Sequence, residues 1–172
     1  PQLCLFQIGS ADEALAVDPL ADGIDLQPLF DLMANESVLK VFHAGRQDIE
    51  ILYNLAGAVP HPIFDTQLAA MVCGFGDSVG YETLVSKLLR QNLDKASRFT
   101  DWARRPLTDR QLSYALDDVI YLQDIYLKLH EQMEKSGRAH WLDEEMETLA
   151  SPSTYDTPPE MAWKRLKARN NN

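Results

Sequence analysis

Tyr114 and Asp118 stand four residues apart in Tyr114-Ala115-Leu116-Asp117-Asp118. On a helix that spacing sets them one turn apart on the same face, and Tyr121 and Ile125 extend it. A phenol beside a carboxylate, next to a buried stripe, can hold a metal ion and orient a water. The same pair also reads as a half-buried tyrosine hydrogen-bonded to an exposed aspartate. A second constellation lies upstream, in His43-Ala44-Gly45-Arg46-Gln47-Asp48-Ile49-Glu50. A strand running to His43 would deliver Asp48 into the first turn of the next helix. Side chains just past strand ends are where α/β sheets build sites. Asp48 also suits a helix N-terminus on electrostatic grounds alone, and His43 reads as a structural histidine.

These residues need a scaffold, and the hydrophobic pattern supplies one. Residues 3–8 are apolar on both alternating faces and read as a buried strand stopped at Gly9-Ser10. Residues 14–17 are a second strand, so residues 2–17 form a hairpin. Leu26, Leu29, Phe30 and Met33 place a helix over residues 25–33. Residues 38–42 are a strand, followed by a helix from Arg46 to Ala56 with Gly57 as its stop. Ile63-Phe64 is extended, and Asp65 can cap a helix carrying Leu68, Ala69, Met71 and Val72. Residues 80–89 are helical. Thr108-Asp109-Arg110-Gln111 fits a capping box that opens one long helix. Its stripe is Leu112, Leu116, Val119, Leu122, Tyr126, Leu129 and Met133, ending near Gly137. An acidic helix covers 139–149. Residues 151–160 hold three prolines and read as a linker, and 161–172 start a basic helix. Strands, then strand–helix alternation, then helices predict an α/β domain with a mixed sheet flanked by helices.

Composition sets limits. The chain has 172 residues, 45% hydrophobic and 24% charged, ordinary for one globular domain. No apolar run approaches the roughly 20 residues of a membrane helix. Cys4 and Cys73 read as two reduced core thiols of a cytoplasmic protein rather than a disulfide, and no Cys/His spacing suggests zinc. The chain does not begin with Met, and Pro1 reads as the middle of a strand, so residues are expected upstream. The net charge of −10 is unevenly spread. Residues 1–80 hold eleven Asp/Glu and two Lys/Arg, whereas 86–111 hold seven Lys/Arg and three Asp, with Phe99 and Trp102 among them. That is an acidic half beside a basic, aromatic stretch, suited either to a metal centre with a phosphate-binding rim or to a solvated loop.

Taken together, the motifs resemble the ribonuclease D branch of the DEDD exonuclease superfamily. Residues 41–50 are similar to that family's second motif, and residues 112–122 to its third, in the tyrosine-bearing form. Phe64-Asp65-Thr66-Gln67, Val79-Gly80-Tyr81, Leu93-Asp94-Lys95 and Asp101-Trp102-Ala103-Arg104-Arg105-Pro106 also match. The resemblance covers residues 1–150. It implies a ribonuclease H-like fold and a 3′→5′ exoribonuclease releasing mononucleotides from single-stranded RNA 3′ ends, tRNA precursors among them, with two Mg²⁺ or Mn²⁺ ions. Asp118 would ligate metal directly, Asp48 would help hold the second ion, and Tyr114 would orient the attacking water. Lys95, Arg104 and Arg105 would touch RNA backbone. Asp117 faces about 100° from the Tyr114–Asp118 face and is not a ligand.

One departure weighs against the chain acting alone. The family's first motif, an Asp-x-Glu on a strand upstream of residues 1–8, has no counterpart here. Two ions about 3.5–4 Å apart activate the attacking water and stabilise the leaving oxygen, and hard ions want carboxylate oxygens. Two carboxylates, where the family uses four, would hold them weakly. The domain at 1–150 is therefore expected to be incomplete and inactive as it stands, followed by the linker at 151–160 and the start of a helical nucleic-acid-binding domain at 161–172. A DNA-directed exonuclease and a non-catalytic RNA-binding module are the competing readings.

Overall fold

The computed structural model describes residues 3–93 and 100–156. Gln2, the basic pair Lys95 and Arg98, Phe99, the end of the linker and the helix expected at 161–172 lie outside the described residues.

Strand β1 (Phe6–Gly9) pairs antiparallel with β2 (Ala14–Val17), with Phe6 opposite Val17 and Gly9 opposite Ala14. Ser10 closes the hairpin: its amide donates to the Glu13 carbonyl at 2.8 Å. Helix α1 (Gln27–Ala34) carries proline in its first turn, where a missing amide hydrogen costs nothing. Strand β3 (Lys40–Phe42) leads into α2 (Arg46–Ala56), which ends on Gly57 in the left-handed conformation. Strand β4 (Ile63–Asp65) runs parallel to β3 and passes directly into α3 (Thr66–Val72). Helix α4 (Tyr81–Leu84) loosens into a π turn at Val85–Leu89. Helices α5 (Asp109–Ile120), α6 (Leu122–Ser136) and α7 (Asp143–Ala150) complete the domain.

The main core is built where α3, α4 and α6 meet β4. Phe64, Ala69, Ala70, Leu84, Val85, Ile125, Leu129 and Met133 are buried there. A second cluster joins Ile49 of α2 and Ile63 of β4 to Leu149 and Tyr155. A third sets Leu29 and Met33 of α1 against Leu52 of α2. No helix of the described residues is long and apolar enough to cross a membrane, and Cys4 and Cys73 are not joined in a disulfide.

Two expectations change. Among the described residues the strands form two separate two-stranded ladders, not one continuous sheet: β1 pairs only with β2, and β3 only with β4. Antiparallel and parallel pairing are both present, as expected, but β1 is not interior to a sheet. Residues 3–5 therefore lack a ladder partner and fall outside the strand. Between the ladders runs a channel of about 710 Å³, walled by residues 5–9 on one side and 38–42 on the other.

The long helix is also broken. Tyr121 adopts φ −95°, ψ −2° at the end of α5, and its backbone amide donates to the Tyr81 hydroxyl oxygen. The released Asp117 carbonyl accepts the Tyr81 hydroxyl at 3.1 Å. A long-range phenol thus replaces a helical hydrogen bond, a partner that local spacing does not reveal. The break lets α5 lie on the β1–β2 hairpin while α6 packs on α3 and β3. Gly9 makes the first contact close, since a Cβ there would meet the Val119 carbonyl oxygen at 2.9 Å. Tyr121 and Ile125 consequently do not extend the Tyr114–Asp118 face; Ile125 turns into the main core.

Candidate functional site

Asp48 is placed by a tight turn after β3. Ala44 has φ +54°, and Gly45 sits so close under the chain that a Cβ would lie 2.5 Å from that of Phe42. Only glycine fits there. The turn is held from below by Asp65, which is 2% exposed. One of its carboxylate oxygens accepts from the amides of Ala44 at 3.1 Å and Gln67 at 2.8 Å, and the other from Gly45 at 2.8 Å. Asp65 therefore caps α3, as its position predicts, and also ties the start of α2 to the end of β4. Beside it, Thr66 donates its hydroxyl to the Phe42 carbonyl at 3.0 Å and lies 2.9 Å from His43 Nδ1. The His43 ring rests 5.6 Å from that of Tyr81. Burial lowers the His43 pKa against the opposing pull of Asp65, which favours the neutral imidazole.

Asp48 is exposed at the channel wall. Partial desolvation by neighbouring protein atoms, and after it the charge of Asp65, push its carboxyl above the usual carboxylate range. The folded chain holds this proton to higher pH than the unfolded chain does. Ionisation therefore costs stability as pH rises from the unfolded pKa through the folded one. Asp48→Asn cannot ionise. In metal-free buffer it is expected to melt higher than wild type near pH ~7 and at about the same temperature near pH ~3. Thermal denaturation at both pH values checks this, and a lower melting temperature at the neutral pH refutes it.

Helix α5 brings the second group. It starts with the expected capping box, Thr108 accepting from the Gln111 amide while the Gln111 side chain accepts from that of Thr108. Tyr114 is half-buried and Asp118 exposed. Asp118 and Asp48 line the channel together, with Tyr81 and His43. A smaller adjoining hollow of about 330 Å³ is lined by both carboxylates again, with Tyr114, Trp102, Gln7 and Ile51. The Trp102 and Tyr114 rings are 6.1 Å apart, tilted by 36°. Two carboxylates and a phenol from segments far apart in sequence thus converge on one open hollow. Among the described residues no group of three or more His, Cys, Asp and Glu is placed to hold a metal ion. Among the described residues that line the hollow, the carboxylates are those of Asp48 and Asp118.

Of the basic residues, Arg104 is exposed, and Lys95 lies outside the described residues. Arg105 is engaged internally, with Asp18 and the Cys4 carbonyl. Sequence reasoning missed three things: the two-sided role of Asp65, the Tyr81 bond to α5, and the pairing of Arg105 with Asp18. Only the first left a local signal, as a helix cap.

A family model described as a 3′-5′ exonuclease matches residues 1–134. The ribonuclease D of Nitrobacter hamburgensis is 59% identical over 169 residues, which is 98% of this chain and 44% of that protein. The chain spans less than half the length of the curated relatives it matches. The crystal structure of Escherichia coli RNase D, an exoribonuclease involved in structured RNA processing, has a TM-score of 0.87 at 36% identity. It covers 96% of this chain, and this chain covers 44% of it. Brucella melitensis NrnC bound to pGG has a TM-score of 0.82 at 29% identity, covering 99% of this chain and 82% of that one. The same protein has been solved with bound Mg²⁺, with a TM-score of 0.81 at 28% identity.

Proposed function

Because this chain belongs to the 3′-5′ exonuclease family, in its ribonuclease D branch, we propose that the protein removes mononucleotides from the 3′ ends of single-stranded RNA by hydrolysis. The observation that carries the reading is the convergence of Asp48, Asp118 and Tyr114 on one hollow. Precursors of structured RNAs such as tRNA are its substrates, and the cytoplasm is its compartment.

Two divalent cations, Mg²⁺ or Mn²⁺, would supply the charge that makes water a nucleophile and steadies the leaving oxygen. Mg²⁺ in the related NrnC supports the choice of ion. Asp48 and Asp118 would hold them. A carboxylate whose ionisation is opposed by partial desolvation and by a second carboxylate gains from a neighbouring cation, which is the electrostatic reason Asp48 suits that role. The two donors do not complete a site, so we infer that an Asp-x-Glu encoded upstream of Pro1 completes it. The channel supports this inference, because residues of β1 and β3 both line it and, among the described residues, each of these strands has a single strand partner. A strand there would pair with both and bring acidic side chains beside Asp48 and Asp118.

The chain's other residues have definite work. The Tyr114 hydroxyl orients the attacking water, and Arg104 with Lys95 meets the phosphates. Tyr155 is buried against Ile49, Ile63 and Leu149 and donates its hydroxyl to the Leu149 carbonyl, so the stretch expected as a linker at 151–160 packs on the domain as far as Tyr155; beyond it we propose a helical nucleic-acid-binding domain beginning at 161.

A 3′-end degradation assay tests the reading. The protein with its upstream residues is expected to shorten 5′-labelled single-stranded RNA from the 3′ end, releasing 5′-mononucleotides, and to stop on chelation. The 172-residue chain alone should bind the RNA weakly and leave it intact. Tyr114→Phe should lower kcat about tenfold or more and leave KM nearly unchanged. Binding without degradation by the extended protein would favour the non-catalytic module, and equal cleavage of DNA would favour the DNA-directed enzyme.

A further inference from the structure

Arg105 has the five N–H donors of any guanidinium, and every one of them has a protein acceptor. Nε and Nη2 grip the two carboxylate oxygens of Asp18, each at 2.6 Å. Nη2 also donates to the Cys4 carbonyl at 2.6 Å. Nη1 donates to the carbonyls of Trp102 at 2.9 Å and Arg104 at 3.0 Å. Asp18 follows directly on β2, and its carboxylate accepts the Leu20 amide at 2.9 Å as well. The ion pair is bidentate, the geometry that suits arginine and that lysine cannot copy. Arg105 and Leu20 together hold the Asp18 pKa down to about 2, so the pair stays charged across the physiological range.

This arrangement leaves no donor for a phosphate, and the guanidinium charge is already matched. What Arg105 does reach is the backbone of Trp102, whose indole stands 6.1 Å from the Tyr114 ring at the hollow where Asp48 and Asp118 meet. Cys4, whose carbonyl Arg105 also holds, lines that hollow as well. One guanidinium therefore ties the hairpin, the wall before β1 and the loop before α5 into a single frame.

We propose that Arg105, clamped by Asp18, is a positioning residue that sets Trp102 against Tyr114 and so fixes the wall of the hydrolytic site, rather than a residue that binds RNA phosphate. The proposal rests on the exonuclease reading for its catalytic consequence, but the clamp itself is testable without turnover. If Trp102 is released, Tyr114 loses its neighbour and the water it orients is placed less well, which affects the chemical step more than binding. A phosphate contact behaves in the opposite way.

Two measurements decide. In the 172-residue chain with Trp141→Phe and Trp163→Phe, Trp102 is the only indole. Arg105→Ala and Asp18→Asn should each shift its emission to the red and increase quenching by iodide, with Arg105→Lys between them and the parent. Circular dichroism verifies that each variant is folded, and unchanged Trp102 emission in both folded variants overturns the clamp. In the extended protein, Arg105→Ala and Asp18→Asn should each lower kcat about tenfold or more with KM within about twofold. The slope of log Kd against log salt for single-stranded RNA should stay at the wild-type value. A slope smaller in magnitude by about 0.7 in Arg105→Ala, with Asp18→Asn like wild type, is the mark of a lost phosphate contact and overturns the proposal. If the extended wild-type protein does not cleave RNA, the exonuclease reading fails, and the emission and salt measurements still decide the clamp.

Discussion

Asp118→Asn, made in the protein with its upstream residues, is expected to lower RNA 3′-end hydrolysis by more than about 10³-fold while leaving the fold and RNA affinity in place. Asp118 is exposed on α5 at the edge of both hollows. The amide has the same shape, and exposed substitutions of this kind usually change stability by no more than about 0.5 kcal/mol. What is lost is the negative charge. Removing a single neutral donor from a developing oxyanion costs about 10²–10³ in turnover. Removing a carboxylate that holds the cation costs more, because the water it would activate then keeps a pKa far above neutrality. RNA binding depends mainly on phosphates meeting basic side chains and on stacking, and a carboxylate-to-amide change slightly favours it. Turnover is measured by release of mononucleotides with Mg²⁺ and with Mn²⁺, and affinity by titration in chelator. Hydrolysis within a few-fold of wild type in both metals would remove Asp118 from the site.

The parts of this site that were legible in the sequence are those set by local rules. Asp48 one turn into α2, the capping box at Thr108 and Gln111, and the one-turn spacing of Tyr114 and Asp118 follow from capping chemistry and helical period. The end of α2 at Gly57 was legible for the same reason. What escaped depends on partners distant in sequence. The break at Tyr121 contains no glycine or proline; the Tyr81 hydroxyl, 36 residues upstream of the carbonyl it binds, accommodates it. Arg105 looks like a surface cation in a basic run, and only the fold brings Asp18, 87 residues away, within its reach. The continuous sheet was expected because residues 3–8 and 38–42 are both apolar enough to be interior strands. Apolar character shows that an edge tends to be covered, but it does not show by which strand. The channel between β1 and β3 is where that difference lies.

Asp65→Ala should destabilise the chain more than any single change in the hollow, by about 4 kcal/mol. Its carboxylate, 2% exposed, serves two structures at once. On one side it caps α3, accepting from Gln67 at 2.8 Å and more weakly from Leu68 at 3.4 Å. Losing a cap of this kind costs about 0.5–2 kcal/mol. On the other side it satisfies the buried amide of Gly45 and the part-buried amide of Ala44, and a buried donor left without an acceptor costs about 1–3 kcal/mol. Native domains hold only about 5–15 kcal/mol, so the variant should unfold at much lower urea with an unchanged m-value. Asp65→Asn separates the two functions. The amide oxygen can keep the α3 cap, but its NH₂ then faces the Gly45 amide, donor against donor. The turn that launches α2 should loosen while α3 stays capped, and Asp48 at the start of α2 should lose its fixed place. In the extended protein, Asp65→Asn is therefore expected to lower kcat for RNA hydrolysis by about 10²-fold, the scale of an ångström-sized misplacement, with KM nearly unchanged. Urea unfolding gives the first quantity and steady-state kinetics the second. A loss of stability below about 1 kcal/mol in Asp65→Ala would show that water replaces the carboxylate at the four amides, and normal turnover in folded Asp65→Asn would show that α2 holds Asp48 without help from β4.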